Sequence, residues 1–287
     1  MPLYERIVGE FAVHFPHHSY ELLFVNDGST DASLVELLAL KERDAKVRVI
    51  SFTRNFGQMA AILAGWQYAR GECVINMAAD LQDPPEQCVP MIKAWEEGSE
   101  IVISYRRTHQ TSFARKLTSR IFYWLLLPNV PPGGFDFALL DRKVLNVINS
   151  LSERNRFYQY DILWTGYRTK FIPYDKLRRK TGKSQYNTVK RFRNFYSAFL
   201  NVSYLPIRLL TVVGGGFAVS GFLYALTIIW AYYAHMIPFQ GWAPIMMLLL
   251  IIGGIIMFML GILGEYIWRI LDEVKGRPNY VVDKQLD

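Results

Sequence analysis

The sequence predicts an α/β domain that is followed by a hairpin of two membrane-spanning helices. In the first part of the chain, short apolar runs alternate with helix-like segments, a pattern typical of strands and helices in a layered α/β fold. Two stretches without a charged residue follow, Leu209–Tyr233 with 25 residues and Ala243–Gly264 with 22. Each is long enough to cross a hydrocarbon core of about 30 Å. The rest of the chain has the size of one domain.

The predicted strands are short apolar runs that end in turn-forming or polar residues. Asp27-Gly28-Ser29-Thr30-Asp31 follows the first strand, and here glycine permits a sharp turn while serine or aspartate can cap the next helix. In chain order, the prediction is strand Glu21–Asn26, helix Ala32–Arg43, strand Val47–Phe52, helix Met59–Ala69, strand Glu72–Met77, helix Glu86–Glu97 and strand Ile101–Ser104. Regular alternation of this kind predicts a parallel sheet with helices on both faces.

Polar residues follow the predicted strands at the sheet edge where ligands bind. In open α/β sheets, ligands lie beyond the carboxyl ends of the strands. The residues that we expect at this edge are Asp27, Arg54, Asp80 and Arg106. The sequence therefore predicts one cleft that carries both carboxylates and guanidinium groups.

Positive charge is concentrated just before the first uncharged stretch. The formal net charge is +7, and between Arg168 and Arg193 there are ten lysines and arginines against one acid, Asp175. Such a cluster can bind nucleic acid, but beside a membrane span it favours anionic head groups or a phosphorylated substrate. Aromatic residues between Tyr186 and Tyr204 favour an amphipathic helix in the membrane interface. We predict the lipid bilayer as a partner, and no nucleic acid.

The charges that flank the spans predict the membrane topology. The connection Ala234–Trp242 has no lysine or arginine, whereas Arg208 precedes the first span and Arg269 follows the second. Because basic flanks stay in the cytoplasm, we predict a multi-pass protein of the inner (cytoplasmic) membrane, with the α/β domain and both termini cytoplasmic. Glycines in the spans allow close helix packing, either within one hairpin or between the hairpins of two copies. A homo-oligomer is therefore possible, and the sequence does not decide the oligomeric state.

These features give the following predicted organisation. The α/β domain covers residues 1–185, an amphipathic juxtamembrane segment 186–207, the two membrane helices 208–267 (at about 209–233 and 243–266), and a cytoplasmic tail 268–287. Glu265 lies just past the second uncharged stretch, where an ion pair with Arg269 is favoured over a functional role. Asp141 is expected to begin a helix.

The segment around Asp80 and Gln82 carries a chemical signal. A carboxylate at a strand end and an amide oxygen two residues later are hard ligands for Mg²⁺ or Mn²⁺, which can bridge a diphosphate. Alternatively, Asp83-Pro84-Pro85-Glu86 only begins a helix, with Asp83 as its N-cap. Both interpretations can hold, because Asp83 can cap a helix while Asp80 points into the cleft.

Five sequence blocks in a fixed order resemble a known family. They are VNDGSTD at residues 25–31, RNFGQMAAILAG at 54–65, ADLQDPPE at 79–86, GGFDFALLDRKV at 133–144 and RRKTGKSQY at 178–186. With the hairpin, they are similar to family 2 glycosyltransferases. Within this family they resemble the polyprenyl-phosphate glycosyltransferases, which include dolichol-phosphate mannose synthase and bacterial undecaprenyl-phosphate glucosyltransferases. The resemblance covers nearly the whole chain.

The resemblance implies a fold and a reaction. The fold would be GT-A, a Rossmann-like nucleotide-diphospho-sugar transferase domain, followed by interfacial helices and a two-helix transmembrane hairpin. The reaction would be a single-displacement, inverting transfer of a hexose from a nucleotide diphosphate sugar to a polyprenyl phosphate. A UDP-sugar is the favoured donor, and glucose is the expected sugar.

The resemblance also implies roles for residues on the donor side. Asp27 would contact the base or ribose of the nucleotide, and the alternative is an Asx-type turn. Asp80, expected to be catalytic, and Gln82 would be metal ligands, and the ion would offset charge on the leaving nucleoside diphosphate. Arg106 and Arg107 would meet the donor diphosphate, because a guanidinium fork suits phosphate oxygens.

On the acceptor side, the resemblance implies one further catalytic residue, Asp136. A phosphate acceptor is largely ionised at neutral pH, so we expect Asp136 to orient the acceptor or the metal rather than to abstract a proton. The alternative is a turn aspartate after two glycines. The residues expected to close over the acceptor and donor phosphates are Arg178, Arg179, Lys183, Ser184 and Tyr186. For each of these, a solvated basic face is the alternative.

The sequence departs from the family pattern in two places. Ala78 stands where most relatives have the first aspartate of an Asp-x-Asp motif, so metal binding is expected to be weaker, more dependent on Gln82, or dispensable. The chain opens on a predicted helix without the opening strand, so we expect the domain to be N-terminally truncated relative to the family. The alternative function is therefore a catalytically impaired, membrane-anchored relative that binds lipid or a partner.

Overall fold

The structure, a computed structural model, describes residues 2–107, 135–153, 156–175, 205–234 and 242–287. The chain forms two compact units. One comprises Met1–Asn194 together with Pro278–Asp287, and the other comprises Phe195–Arg277. The last residues of the chain therefore fold with the N-terminal part, although the whole second unit separates the two in sequence.

The described strands of the first unit form two sheets. In chain order they are β1 (Leu22–Asn26), β2 (Val47–Phe52), β3 (Cys73–Asn76), β4 (Ile101–Arg106), β5 (Phe137–Asp141), β6 (Thr169–Tyr174) and β7 (Val282–Leu286). The first sheet has the order β1-β2-β7, and the second has the order β3-β5-β4-β6. The strands β1 to β4 confirm the sequence prediction, with ends that differ by at most two residues.

Helices flank these sheets. Those described in the first unit are α1 (Pro2–His14), α2 (Ser33–Arg43), α3 (Gln58–Tyr68), α4 (Cys88–Glu96), α5 (Arg142–Ser150) and α6 (Tyr158–Trp164), with a 3₁₀ turn at Pro85–Gln87 before α4. The predicted helices correspond to α2, α3 and α4. Helix α3 contacts both β1 and β3, so it touches a strand of each sheet. Asp141 begins α5 as predicted, because its side chain accepts a hydrogen bond from the Lys143 amide.

The second sheet corrects the prediction of a parallel sheet. The pairs β1/β2 and β4/β6 are parallel, but β5 runs antiparallel between β3 and β4, and β7 runs antiparallel to β2. A strand's direction depends on its partners, and a five-residue apolar run such as Phe137–Asp141 carries no signal of direction. The sheet is therefore mixed, and the start of β5 lies at the carboxyl ends of β3 and β4.

The C-terminal strand β7 lies in a segment that the sequence analysis assigned only to a tail. Arg48 of β2, which is 6% exposed, donates hydrogen bonds to Asp287 at 2.6 Å and to Glu21 at 2.7 Å. The Tyr280 ring stacks on Phe52 with 4.9 Å between ring centroids. The chain end is therefore held by backbone pairing, by ion pairs and by aromatic packing.

The second unit contains two long helices, α7 (Leu205–Tyr233) and α8 (Trp242–Val274), which contact each other. Within the described residues, one stretch is long and apolar enough to cross a membrane, Ile251–Val274, with a mean hydropathy of 1.9. Val212–Tyr224 is a shorter apolar stretch. In α8, Arg269 pairs with Glu265 at 3.1 Å, which confirms the predicted i, i+4 ion pair.

Candidate active site

One carboxylate joins the loops that follow β1 and β2. Asp27 directly follows β1, and its Oδ1 accepts a hydrogen bond from the Phe56 amide at 2.7 Å while its Oδ2 accepts one from the Gly57 amide at 2.9 Å. Gly57 is the N-cap residue of α3, so Asp27 places a negative charge at the positive end of this helix. In this structure both oxygens of Asp27 hold the neighbouring loop.

Gly28 lets these two loops approach each other. It has a φ of +61°, and a Cβ placed on it would lie 2.3 Å from the carbonyl carbon of Arg54 and 2.6 Å from the backbone nitrogen of Asn55. Any side chain at this position would therefore push the loop after β2 away. The glycine of the DGS block is required here by both its backbone conformation and the available space.

The predicted metal-binding segment forms a tight turn. The Oδ1 of Asp80 accepts a hydrogen bond from the Gln82 amide at 3.1 Å, and Leu81 between them has a φ of 59°. This left-handed conformation is strained for leucine, and such strain is concentrated at ligand-binding segments. Among the described residues, there is no group of three or more His, Cys, Asp or Glu side chains that could hold an ion. Asp80 and Gln82 therefore fit Mg²⁺ only where diphosphate oxygens and water complete its shell, which is usual for this ion.

Asp83 is not a helix cap, so the alternative interpretation of this segment, with Asp83 as an N-cap, is wrong on this point. Pro84 occupies the N-cap position of the 3₁₀ turn, and no side-chain hydrogen bond caps it. Asp83 is instead buried, at 1% exposure, and accepts a hydrogen bond from the Tyr174 hydroxyl at 2.5 Å. The proline pattern after Asp83 could not indicate this role, because Tyr174 lies 91 residues later in the chain.

Arg106 and Asp136 form an ion pair at the carboxyl end of β4. The Nη2 of Arg106 lies 3.2 Å from the Oδ2 of Asp136, and both side chains are about half exposed. The Tyr158 hydroxyl donates to the Oδ1 of Asp136 at 2.8 Å, and the Asn76 side-chain amide donates to its backbone carbonyl at 2.5 Å. Asp136 is therefore held by contacts from a strand, a helix and Arg106.

Tyr174 links Asp83 to Arg106. Its hydroxyl donates to Asp83 and also interacts with the Arg106 guanidinium. Burial, together with the bond to Asp83, raises the pKa of Tyr174, so the phenol is neutral at physiological pH. Burial disfavours the charged form of Arg106, but the interaction with Tyr174 and the charges of Asp136 and Asp83 outweigh this effect and raise its pKa. The guanidinium is therefore charged at all relevant pH values.

The structure brings some of the predicted site residues together. Arg106 and Asp136 are in contact, and the segment from Asp80 to Asp83 joins them through the buried carboxylate of Asp83. Asp27 makes its hydrogen bonds on the side of the first sheet. The Arg107 side chain is exposed, and its Nη1 lies 4.0 Å from the Oδ2 of Asp175.

The predicted acceptor-binding residues lie outside the part of the chain that the structure describes. They are Arg178, Arg179, Lys183, Ser184 and Tyr186. The same holds for most of the predicted juxtamembrane segment 186–207. Their roles stay predictions.

Three residues that contact the site were missed by the sequence analysis: Asn76, Tyr158 and Tyr174. Asn76 ends β3 and Tyr174 ends β6, so both follow the rule that ligand sites lie at the carboxyl ends of strands. Applying that rule to β6 would have found Tyr174. Tyr158 lies at the start of a short helix and has no comparable signal.

The mixed sheet, with its strand-end cluster of carboxylates and arginine, fits a GT-A-like glycosyltransferase domain, and the sequence comparisons show this class. The chain belongs to glycosyl transferase family 2, whose model matches residues 10–168. A second model, described as the GtrB C-terminal hairpin, matches residues 205–270. The enzyme class predicted from the sequence is thereby confirmed.

Several known proteins are similar to this chain. The bactoprenol glucosyl transferase of Shigella phage SfII is 34% identical over 99% of this chain and 93% of its own length. The uncharacterized glycosyltransferase YkcC of Bacillus subtilis is 36% identical over 93% of this chain and 84% of its own length. A structural match to the crystal structure of glucosyl-3-phosphoglycerate synthase from Mycobacterium tuberculosis covers 63% of this chain and 68% of that chain, at 17% identity and a TM-score of 0.46.

Proposed function

We propose that this protein transfers a glucosyl group from a nucleotide diphosphate sugar, with UDP-glucose as the favoured donor, to a polyprenyl phosphate of the bactoprenol type. The observation that carries this proposal is the similarity, over nearly the full length of both chains, to relatives named bactoprenol glucosyl transferase. The cluster around Arg106 agrees with it, because a fixed guanidinium at a strand end suits a diphosphate.

The proposed roles on the donor side follow from what each group can bind. Arg106 meets the donor diphosphate, and Arg107 contributes charge beside it. Asp80 and Gln82 hold Mg²⁺ or Mn²⁺ together with diphosphate oxygens, and the ion, when bound, offsets charge on the leaving group. Asp27 contacts the nucleotide from the loop after β1, and its hydrogen bonds connect this loop to the start of α3.

We propose that Asp136 orients the reacting groups rather than removing a proton. Its Oδ1 is engaged by Tyr158 and its Oδ2 by Arg106. The acceptor phosphate is already largely ionised at neutral pH, so the attack on the sugar needs little help from a base. A carboxylate fixed on two sides suits alignment of the acceptor with the sugar, and alignment is itself a large part of catalysis.

The proposed reaction is tested with the full chain in proteoliposomes that contain undecaprenyl phosphate and receive radiolabelled UDP-glucose. The expected product is an organic-soluble, acid-labile glycolipid that forms with undecaprenyl phosphate and fails to form with undecaprenol, which lacks the phosphate. A panel of UDP-galactose, UDP-N-acetylglucosamine and GDP-mannose tests the choice of sugar. No transfer from any donor, with lipid still bound, would favour the catalytically impaired relative instead.

The metal proposal predicts that chelation abolishes transfer. We expect EDTA to stop glycolipid formation and Mg²⁺ or Mn²⁺ to restore it, because Arg106 and Arg107 alone balance only part of the charge that develops on the leaving diphosphate. Asp80→Asn should raise the Mg²⁺ concentration for half-maximal activity by about 10-fold or more, since it removes the one carboxylate of the ligand pair. Full activity in EDTA would contradict the metal role.

We propose that α7 and α8 form a two-helix transmembrane hairpin with the glycosyltransferase domain and both termini in the cytoplasm. Residues on both sides of these helices belong to one folded unit, which contains β2 and β7 in the same sheet. Both ends of the helical segment must then emerge on the same side of a membrane. A single crossing would separate β7 from β2, which favours two crossings. The inner membrane as the location and an association of several copies are also proposals.

A further inference from the structure

Tyr174 occupies a fixed position beside Arg106. The strands β4 and β6 pair in parallel, with Arg106 directly opposite Tyr174, and the Arg107 amide donates to the Tyr174 carbonyl at 2.9 Å. The Tyr174 ring packs edge-on against Phe137 of β5, with 5.9 Å between centroids. Backbone pairing and ring packing together leave the hydroxyl with little freedom, and it lies where it reaches both Asp83 and Arg106.

Asp83 supplies a buried negative charge to this arrangement. A carboxylate at 1% exposure is unfavourable unless a donor and a positive charge compensate it. The Tyr174 hydroxyl is the donor, and Arg106 is the nearby positive charge. Arg106 thus has a fixed anion and a fixed hydroxyl on one side, and Asp136 on another.

We propose that Tyr174 and Asp83 are positioning residues that hold the Arg106 guanidinium ready for the donor diphosphate. This inference rests on the proposed function of Arg106 in donor binding. An arginine side chain has many rotamers, and a guanidinium that is already oriented loses less entropy when it binds. Without Tyr174, the ion pair with Asp136 alone orients Arg106, and it pulls the guanidinium towards the carboxylate that the acceptor needs.

The test uses Tyr174→Phe, which keeps the ring against Phe137 and removes only the hydroxyl. The full chain is placed in lipid nanodiscs, and UDP binding is measured by titration calorimetry. We expect the Kd for UDP to rise by about 5- to 20-fold, which lies between the typical losses for a neutral hydrogen bond and for one to a charged group. In the transfer assay, the KM for the donor should rise by a similar factor, with a smaller change in kcat. Asp83→Asn should also raise the Kd for UDP and the KM for the donor.

Two further variants separate positioning from a general structural effect. Tyr280→Phe removes a tyrosine hydroxyl that donates to Gln67 of α3 and touches none of these residues, so it should change the Kd for UDP by less than about 2-fold. Arg106→Ala alone should weaken UDP binding, and adding Tyr174→Phe to it should cause no further loss, because Tyr174 acts through Arg106. A merely structural tyrosine would weaken binding equally with or without Arg106.

The outcomes distinguish this inference from the proposed function. One outcome is that UDP binding depends on Arg106 and Tyr174 but no sugar is transferred to the lipid. This outcome would support the inference and contradict the proposed reaction. Sugar transfer with unchanged UDP affinity in Tyr174→Phe would overturn the inference and leave the reaction intact. Equal effects of Tyr174→Phe in the presence and absence of Arg106 would also overturn it, and a wild-type chain that binds no nucleoside diphosphate would overturn both.

Discussion

Gly28 is needed for the contact between the loops after β1 and β2. Its φ of +61° lies in the left-handed region, and a Cβ would lie 2.3 Å from the Arg54 carbonyl carbon. Gly28→Ala should therefore lower the free energy of unfolding by about 3 kcal/mol, of which about 1 kcal/mol is backbone strain and about 2 kcal/mol is the clash. The measurement is chemical denaturation of the full chain in detergent, followed by circular dichroism.

Gly166 provides the matched control for that prediction. Its φ is also positive, at +72°, but a Cβ at this position would meet nothing within 4 Å. Gly166→Ala should therefore lose only the strain component, about 1 kcal/mol. Equal losses of unfolding free energy in Gly28→Ala and Gly166→Ala would mean that the loops after β1 and β2 lie further apart than in the structure.

Asp27 gives a second residue-level prediction, because its carboxylate binds two backbone amides of the next loop. Asp27→Ala leaves the Phe56 and Gly57 amides without this acceptor, and we expect a loss of about 1 to 2 kcal/mol in the free energy of unfolding. Asp31→Ala is the control, since exposed Asp31 bonds Ser33 of its own loop rather than a second loop, and the loss should be clearly smaller. An unchanged stability in Asp27→Ala, with UDP binding lost, would mean that Asp27 serves the nucleotide alone.

Whether the role of a side chain could be predicted depended on how far along the chain its partner lies. The Asp141 cap and the pair of Glu265 with Arg269 involve neighbours within four residues, and both predictions are confirmed. The partner of Asp83 is 91 residues away, and the capping role that was one interpretation of its segment was wrong. Sequence patterns report periodicity and caps, whereas the partner of a buried carboxylate depends on how the strands assemble.

The same distinction holds for whole elements. The strands β1 to β4 and the helices α2 to α4 were predictable because apolar runs, turns and glycines mark them locally. The direction of β5 was not predictable, and neither was β7, whose partner β2 lies more than 200 residues earlier. The segment Val282–Leu286 contains mostly exposed side chains, so its apolar pattern is weak.

The strand β7 leads to an element-level prediction. Arg48→Met should lower the thermal midpoint of the full chain, because it leaves Glu21 and Asp287 without their shared partner and loosens β7 from β2. Because the two carboxylates left behind are partly exposed, the loss should be smaller than for a fully buried ion pair. Lys284→Ala, at an exposed position of the same strand, is the control and should leave the midpoint unchanged.

The charge of Asp287 makes part of this stability depend on pH. The hydrogen bond from Arg48 holds the pKa of Asp287 below its ordinary value of 3.8. A lowered folded-state pKa means that the stabilisation is present above this value and is lost as pH falls through the folded-state pKa. Asp287→Asn should therefore melt at a lower temperature than wild type at pH 7, with a difference that shrinks as the pH falls below 3.8. A difference that is constant with pH would mean that the charge is not involved.

At the scale of the whole molecule, β7 constrains how the chain can cross a membrane. The segment between the two parts of the first unit contains α7 and α8, yet its two ends lead into the same sheet system. An odd number of crossings would place β7 and β2 in different compartments. The arrangement that we propose has two crossings, in which the stretch around Val212–Tyr224 spans the membrane together with Ile251–Val274.

A membrane-impermeant maleimide tests this topology on intact cells. Ala234→Cys, at the end of α7, should react from outside, while Lys284→Cys on the exposed side of β7 should react only after permeabilisation. The two natural cysteines, Cys73 and Cys88, lie in the glycosyltransferase domain and are replaced by alanine as background. Labelling of Lys284→Cys from outside would mean that β7 is not paired with β2 in cells. Labelling of neither position without permeabilisation would mean that the helices do not cross the membrane, because a crossing hairpin must expose its connection to the outside.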